Sequence, residues 1–323
     1  MKHKLRYILA FVILGGLFWS LGCATVSTDK RIDTQALDER LKQKAKSMNM
    51  TVHGVLESDY KGVQCAPAVS KVNSNWNWSD AVNAANLCFK ARDYNAVETL
   101  ANQLAVKDTS TPWGPYFFGQ VALERGQLDR ALWMAELSVR RAPEFGVTHY
   151  LKAQVLWAKE EYKSATSEFE KAVSYDEGIG PAHLILGQVY LRDQDYVRAA
   201  EQFSAALKYL HDNIFALNGQ AESEDHLNNP ARALDAYVRL TDVDGTDGHY
   251  LTRIGELYEG SLNNPERAMH AYQKLHDLIK AGKITKNIDP DNDSKIKELQ
   301  TTLEKSRAVA SSQDKTKPQG GGK

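Results

Sequence analysis

The chain has 323 residues, 42% of them hydrophobic, with 40 Lys and Arg against 41 Asp and Glu. That is enough apolar chain to bury a sizeable core, and the composition is not that of a disordered polymer. A net charge of −1, with no basic stripe interleaved with aromatics, argues against nucleic acid as a partner.

Residues 1–6 carry Lys2, Lys4 and Arg6, an apolar run extends from Tyr7 to Leu21, and Gly22, Cys23 and Ala24 follow. A basic start, a short apolar segment and a small residue before a cleavage point are the parts of a secretory signal. The run is about 15 residues, below the roughly 20 that a spanning helix needs. Ending on Gly-Cys, the segment resembles a bacterial lipoprotein signal peptide (1–22), although Ser20 stands where Leu is usual. The resemblance implies cleavage before Cys23, acylation of Cys23 and attachment to one membrane leaflet. Ala24 in the next position implies the outer membrane, facing the periplasm. An uncleaved N-terminal anchor is the alternative. Removing Lys2, Lys4 and Arg6 leaves 37 basic against 41 acidic residues, about −4 for the mature chain.

Residues 23–77 read as the acylated cysteine and a tether. Within it, residues 34–48 have a helical look, with Leu37 and Leu41 four apart, and residues 58–78, rich in Ser, Asn, Gly and Pro, read as a loop. Two cysteines remain after Cys23. In an oxidising compartment Cys65 and Cys88 are expected to pair. Such a bond would close a loop of about 22 residues and contribute roughly 3 kcal/mol. A buried Cys88 with an unrelated Cys65 is the other reading.

From residue 78 the chain is periodic. Ala131, Ala165, Ala199 and Ala233 are 34 apart, with Val97 in the earlier copy and Ala268 35 further on. Gly119, Ala153, Gly187, Ala221 and Gly255 run in step. So do Phe169, Phe203, Tyr237 and Tyr272, with Ala135 before them. A period of 34 marks helix-turn-helix units, none of which can bury its apolar face alone, so stacking is required. The small residues fall where two helices cross, with the aromatic beside them. These residues resemble the tetratricopeptide repeat (TPR) family over residues 78–282, with six copies starting near Trp78, Pro112, Gly146, Gly180, Ile214 and Gly248. The resemblance implies an all-α fold, a right-handed α-solenoid of about six repeats. Asn228-Asn229-Pro230 and Asn263-Asn264-Pro265 recur at the inter-helix turn, where Pro opens the second helix without losing a hydrogen bond.

In that family the first helix of each unit lines a concave groove. Here Gln120, Gln154 and Gln188 recur at 34-residue spacing. Tyr116, Tyr150 and Leu184 lie one turn before them, and Leu123, Trp157 and Leu191 three residues after. An amide beside apolar surface suits an extended peptide, and Arg192 adds a carboxylate contact. Gln is equally a good helix former on any exposed face, and Tyr150 and Trp157 are able to pack between repeats instead. The later helices carry Glu222, Asp225, His226, Glu256 and Glu259, so the groove is expected to turn acidic.

Residues 283–309 read as a capping helix, with Ile296, Leu299 and Leu303 as its apolar stripe and Asp293 or Ser294 as N-cap. Residues 310–323 read as disordered. No catalytic or metal-binding motif is present, and the nine histidines read as scattered and at the surface. No enzyme activity, cofactor, metal or small-molecule substrate is expected. The anchor and repeat count resemble the pilotins of type IV pilus systems and motility-complex scaffolds of gliding bacteria. That implies a protein or peptide partner within an envelope complex. The competing reading is an accessory lipoprotein of a peptidoglycan synthase or hydrolase.

Overall fold

A computed structural model of the chain describes residues 64–315. The leader, Cys23 and the helix expected at 34–48 lie outside these residues. The described part holds fourteen α-helices and a single isolated bridge between Asp247 and Lys286. A short helix α1 (Ala66–Ser74) precedes six helix pairs. They are α2 and α3 (Trp78–Lys90, Tyr94–Lys107), α4 and α5 (Trp113–Glu124, Leu128–Arg141), and α6 and α7 (Gly146–Ala158, Tyr162–Tyr175). Then come α8 and α9 (Gly180–Arg192, Tyr196–Tyr209), α10 and α11 (Ile214–His226, Pro230–Val243), and α12 and α13 (Gly248–Glu259, Pro265–Lys280). The last helix is α14 (Asn292–Lys315). Every helix packs on its neighbours in sequence, which makes the molecule a solenoid.

The turn inside each pair has a regular construction. Arg92, Gly126, Glu160, Gln194, Asn228 and Asn263 all have positive φ, between 45° and 69°. In the first five units the next amide reaches back five residues, as from Asp195 to the Tyr190 carbonyl at 2.8 Å. This is a helix stop of the Schellman type, which satisfies carbonyls that the helix end leaves open.

The small-residue ladders lie at the crossings. Phe203 is fully buried, and its ring lies against Gly187 of its own unit. A Cβ on Gly219, in the next unit, would run into the same ring, and one on Gly255 would run into Tyr272. Sequence periodicity points to Gly187 and Gly255 but not to Gly219, which breaks the 34-residue pattern. The buried residues form two long clusters, Cys65 to Val155 and Ala153 to Ile284, linked through Leu132 and Val147.

Three expectations need correction. Residues 66–74, read as loop, form α1: Pro67 sits in its first turn, where proline is tolerated, and Val72 is buried. The capping helix, expected within residues 283–309, spans Asn292–Lys315. It begins at Asn292, so Asp293 lies inside the first turn and accepts a hydrogen bond from His276 rather than capping. It also continues through residues 310–315, which the composition had assigned to disorder. Its stripe packs as expected, with Leu299 buried against Ala268 and Tyr272 and Ile296 beside them.

Candidate partner-binding surface

Several first helices of neighbouring units touch one another, α2 with α4, α4 with α6 and α8 with α10. Second helices make no comparable contacts. Closer spacing in one layer curves the stack, so the first helices line its inner side. The residues of the Gln ladder fall on those helices. They are not equally available.

Tyr116 and Leu184 are buried, 7% and 3% exposed, so neither offers a partner much surface. Both were expected to line the groove. They belong to the core because the next unit covers the turn on which they sit. Tyr116 packs edge-on to Trp113 and Phe117, and burial pushes its hydroxyl well above the usual tyrosine range. Gln120 donates to the Tyr116 hydroxyl at 2.9 Å, and its Oε1 is buried without a partner. Tyr150 and Trp157 are half-buried, their rings 5.9 and 6.2 Å from Phe169, and Trp157 also meets Tyr162 edge-on at 4.9 Å. Leu123, Gln154 and Leu191 are half-buried. Gln188 and Arg192 are exposed, with the Arg192 Nε 3.4 Å from Asp193. Among these residues, the open surface centres on Gln154, Gln188, Leu191 and Arg192.

The far end is less acidic than the sequence implies, because two cations fold into it. Arg253 holds Asp225 at 2.8 Å and also pairs with Glu256. Lys295, from the capping helix, reaches Glu256 at 3.2 Å. Asp225 accepts from the Tyr237 hydroxyl at 2.9 Å, and Glu259 from that of Tyr272 at 3.1 Å. These positions continue the Leu123, Trp157, Leu191 ladder. Where the second helix gains a hydroxyl in place of phenylalanine, the first helix gains an acid to receive it. Burial works against the Arg253 charge, but the Asp225 contact outweighs it and holds the guanidinium proton more firmly than usual. Glu222 has no such partner. Burial, and then the Asp225 charge, push its carboxyl above the ordinary carboxylate range.

Two histidines expected at the surface are buried, His149 and His183. They are 34 apart and play the same part. His149 Nε2 donates to the Pro143 carbonyl at 2.7 Å, and His183 Nε2 to that of Glu177 at 3.2 Å. Across to the second helix, His149 Nδ1 meets Glu168 at 2.6 Å and His183 Nδ1 meets the Gln202 amide at 2.7 Å. The shared 34-residue spacing of His149 with His183, and of Glu168 with Gln202, is the signal that finds them.

Cys65 and Cys88 are brought together, Cα atoms 4.8 Å apart, in a disulfide that joins the start of α1 to α2. Among the described residues no cluster of three His, Cys, Asp or Glu side chains is arranged to hold a metal ion.

Residues 150–212 match the tetratricopeptide repeat family. Among solved structures, the chain is similar to YrrB, described as a TPR protein with an unusual peptide-binding site. The identity is 20%, over 58% of this chain and 97% of that one, with a TM-score of 0.40. MamA is similar at 17% identity over 55% and 96% of the two chains, TM-score 0.42. A thermophilic TPR protein of Thermus thermophilus is similar at 19% identity over 56% and 98%, TM-score 0.39. A comparison with curated proteins gives no match. The fold defines the class, an all-α solenoid of stacked helix pairs. More particularly, the likeness to tetratricopeptide repeats falls on its third and fourth units.

Proposed function

We propose that the chain is an outer-membrane lipoprotein, anchored through Cys23, whose inner helical face holds an extended segment of a protein in an envelope assembly. A type IV pilus, secretin or gliding-motility machine is the setting that the anchor and repeats together favour. The observation that carries the groove reading is the recurrence of Gln154 and Gln188, with Leu191 and Arg192, on the first helices of successive units. A side-chain amide can bond a peptide N–H and C=O together, while neighbouring apolar surface takes side chains.

The test has two arms. Full-length chain would be labelled with a palmitate analogue in cells, where Cys23→Ser should abolish labelling; unlabelled wild type rules out the anchor. Detergent-solubilised chain would then be used to capture envelope proteins, with Gln154→Ala/Gln188→Ala/Arg192→Ala as comparison. Tyr150 and Trp157 are left in place because both rings pack on Phe169. Capture of a secretin or motility component, lost with the triple variant, supports the reading. Capture of a cell-wall enzyme, or binding indifferent to the variant, overturns it.

A further inference from the structure

A second surface lies between α11 and the turn joining α12 to α13. There a cleft of about 350 Å3 is lined by Ala231, Leu234, Tyr258, Leu262, Asn264 and Arg267. That size falls in the lower part of the roughly 300–1,000 Å3 seen for ligand sites. Its meaning comes from the same place in earlier units. In unit four Arg198 lies over the Tyr190 ring, 4.3 Å from its centroid, and two carboxylates complete the arrangement. Asp195 accepts from Arg198 Nε at 2.6 Å, and Glu170, on the preceding unit, accepts from the Tyr190 hydroxyl at 2.7 Å. In unit five the tyrosine is replaced by Glu224, which is buried and pairs with Arg232 at 3.3 Å.

Unit six keeps the cation and the ring but loses the acids. Arg267 lies over Tyr258 at 5.6 Å and donates to its hydroxyl at 3.4 Å. Glu170 is replaced by Val238, which is 44% exposed, and Asp195 by Asn264, whose Oδ1 is taken by the Arg267 backbone amide at 3.0 Å. Among the described residues no carboxylate lies within ion-pair distance of Arg267. The polar lining changes too: Lys163 and Thr166, at the corresponding places on α7, become Ala231 and Leu234. The one extra residue in this turn accompanies Leu262 at the rim.

We propose that this cleft docks an acidic residue flanked by bulky apolar residues, on an extended segment of a partner protein. The incoming carboxylate would bind Arg267 and the Tyr258 hydroxyl, as Asp195 and Glu170 do within unit four. The apolar neighbours would cover Leu234, Leu262 and Val238. An Arg–carboxylate contact over an apolar floor is stronger than the same pair in open water. The site shares no residue with the groove ladder and stands without it.

The probe is a fluorescein-labelled peptide, Ser-Leu-Glu-Leu-Ser, and its Gln counterpart, titrated with the full-length chain by anisotropy. Wild type should bind the Glu peptide at least tenfold more tightly than the Gln peptide. Arg267→Gln should erase the difference, as should Val238→Glu, which restores the carboxylate of unit four in cis. Both variants alter exposed side chains and should keep the wild-type thermal midpoint or, for Val238→Glu, raise it. Equal affinity for the two peptides, no binding at millimolar concentration, or a preference that survives Arg267→Gln would overturn the proposal. So would loss of binding in Gln154→Ala/Gln188→Ala/Arg192→Ala, which would move the contact to the groove.

Discussion

Glu168 is a carboxylate almost out of water, and the donors around it keep it charged. Burial alone would raise its pKa, but hydrogen bonds from His149, Lys171 and Lys152 outweigh burial and hold it below the ordinary value. A carboxyl depressed on folding stabilises the protein fully above its unfolded pKa, about 4.3 for Glu, and that contribution fades as pH falls through the folded value. Urea unfolding at pH 7 and in steps below pH 5 should show the loss, and it should be smaller in Glu168→Gln. That substitution gives unit three the amide that unit four has at Gln202, so at pH 7 it should cost only about 1 kcal/mol. Glu168→Ala leaves His149 without its second partner and should cost more, about 2 kcal/mol. Equal pH dependence in wild type and Glu168→Gln would show that other carboxylates carry the acid sensitivity. The same residue scale explains why the expected groove was only partly legible. Spacing puts Tyr116, Gln120 and Leu184 on a helix face, but not how far the adjoining unit covers that face.

At the scale of the helical element, the turn within each unit forms a fourth ladder that small-residue periodicity did not reveal. Its positions hold Arg, Gly, Glu, Gln, Asn and Asn in turn, so residue identity gives no pattern. What repeats is the backbone, because the second helix can fold back only if one residue turns left-handed. Such a conformation costs a residue with a Cβ roughly 1–2 kcal/mol. Gly126 in unit two avoids that cost, and Gln194 in unit four, at φ 61°, does not. Gln194→Gly should therefore raise the unfolding free energy by about 1 kcal/mol, once the looser unfolded chain is allowed for. An unchanged or lower urea midpoint would mean that the Gln194 side chain contributes a contact of its own. The element α1 shows the opposite failure. Pro, Ser and Asn in residues 66–75 are turn signals locally, yet burial of Val72 and the tie at Cys65 support a helix there.

Across the whole molecule, each unit touches little beyond its neighbours, so stability is close to a sum of local terms. The Cys65–Cys88 disulfide should then act on one end alone. In Cys65→Ala/Cys88→Ala, hydrogen exchange should quicken in α1 to α3, by the equivalent of about 3 kcal/mol at most, and stay unchanged from α8 to α12. Uniform loss of protection along the chain would show that the solenoid unfolds as one cooperative block. The other end is closed by chemistry of a different kind: Leu299 and Leu303 cover the last pair, and Lys295 compensates Glu256.

The sequence by itself determined the repeat, its phase and the helix pairs, because burying one face of every unit forces small and aromatic residues to recur at fixed spacing. It also pointed to the two cysteines and to the ladder of amides. Only the tertiary structure decided which ladder residues remain exposed, since that depends on how one unit overlaps the next. It also decided which charges are compensated. Arg253 reaches across to Asp225 on the preceding unit and Lys295 comes from the capping helix to Glu256, while Arg267 is left without a carboxylate because Val238, on the preceding unit, and Asn264 stand where unit four has acids. The Arg253–Asp225 and Lys295–Glu256 pairings join places remote in sequence, and no local spacing rule encodes them.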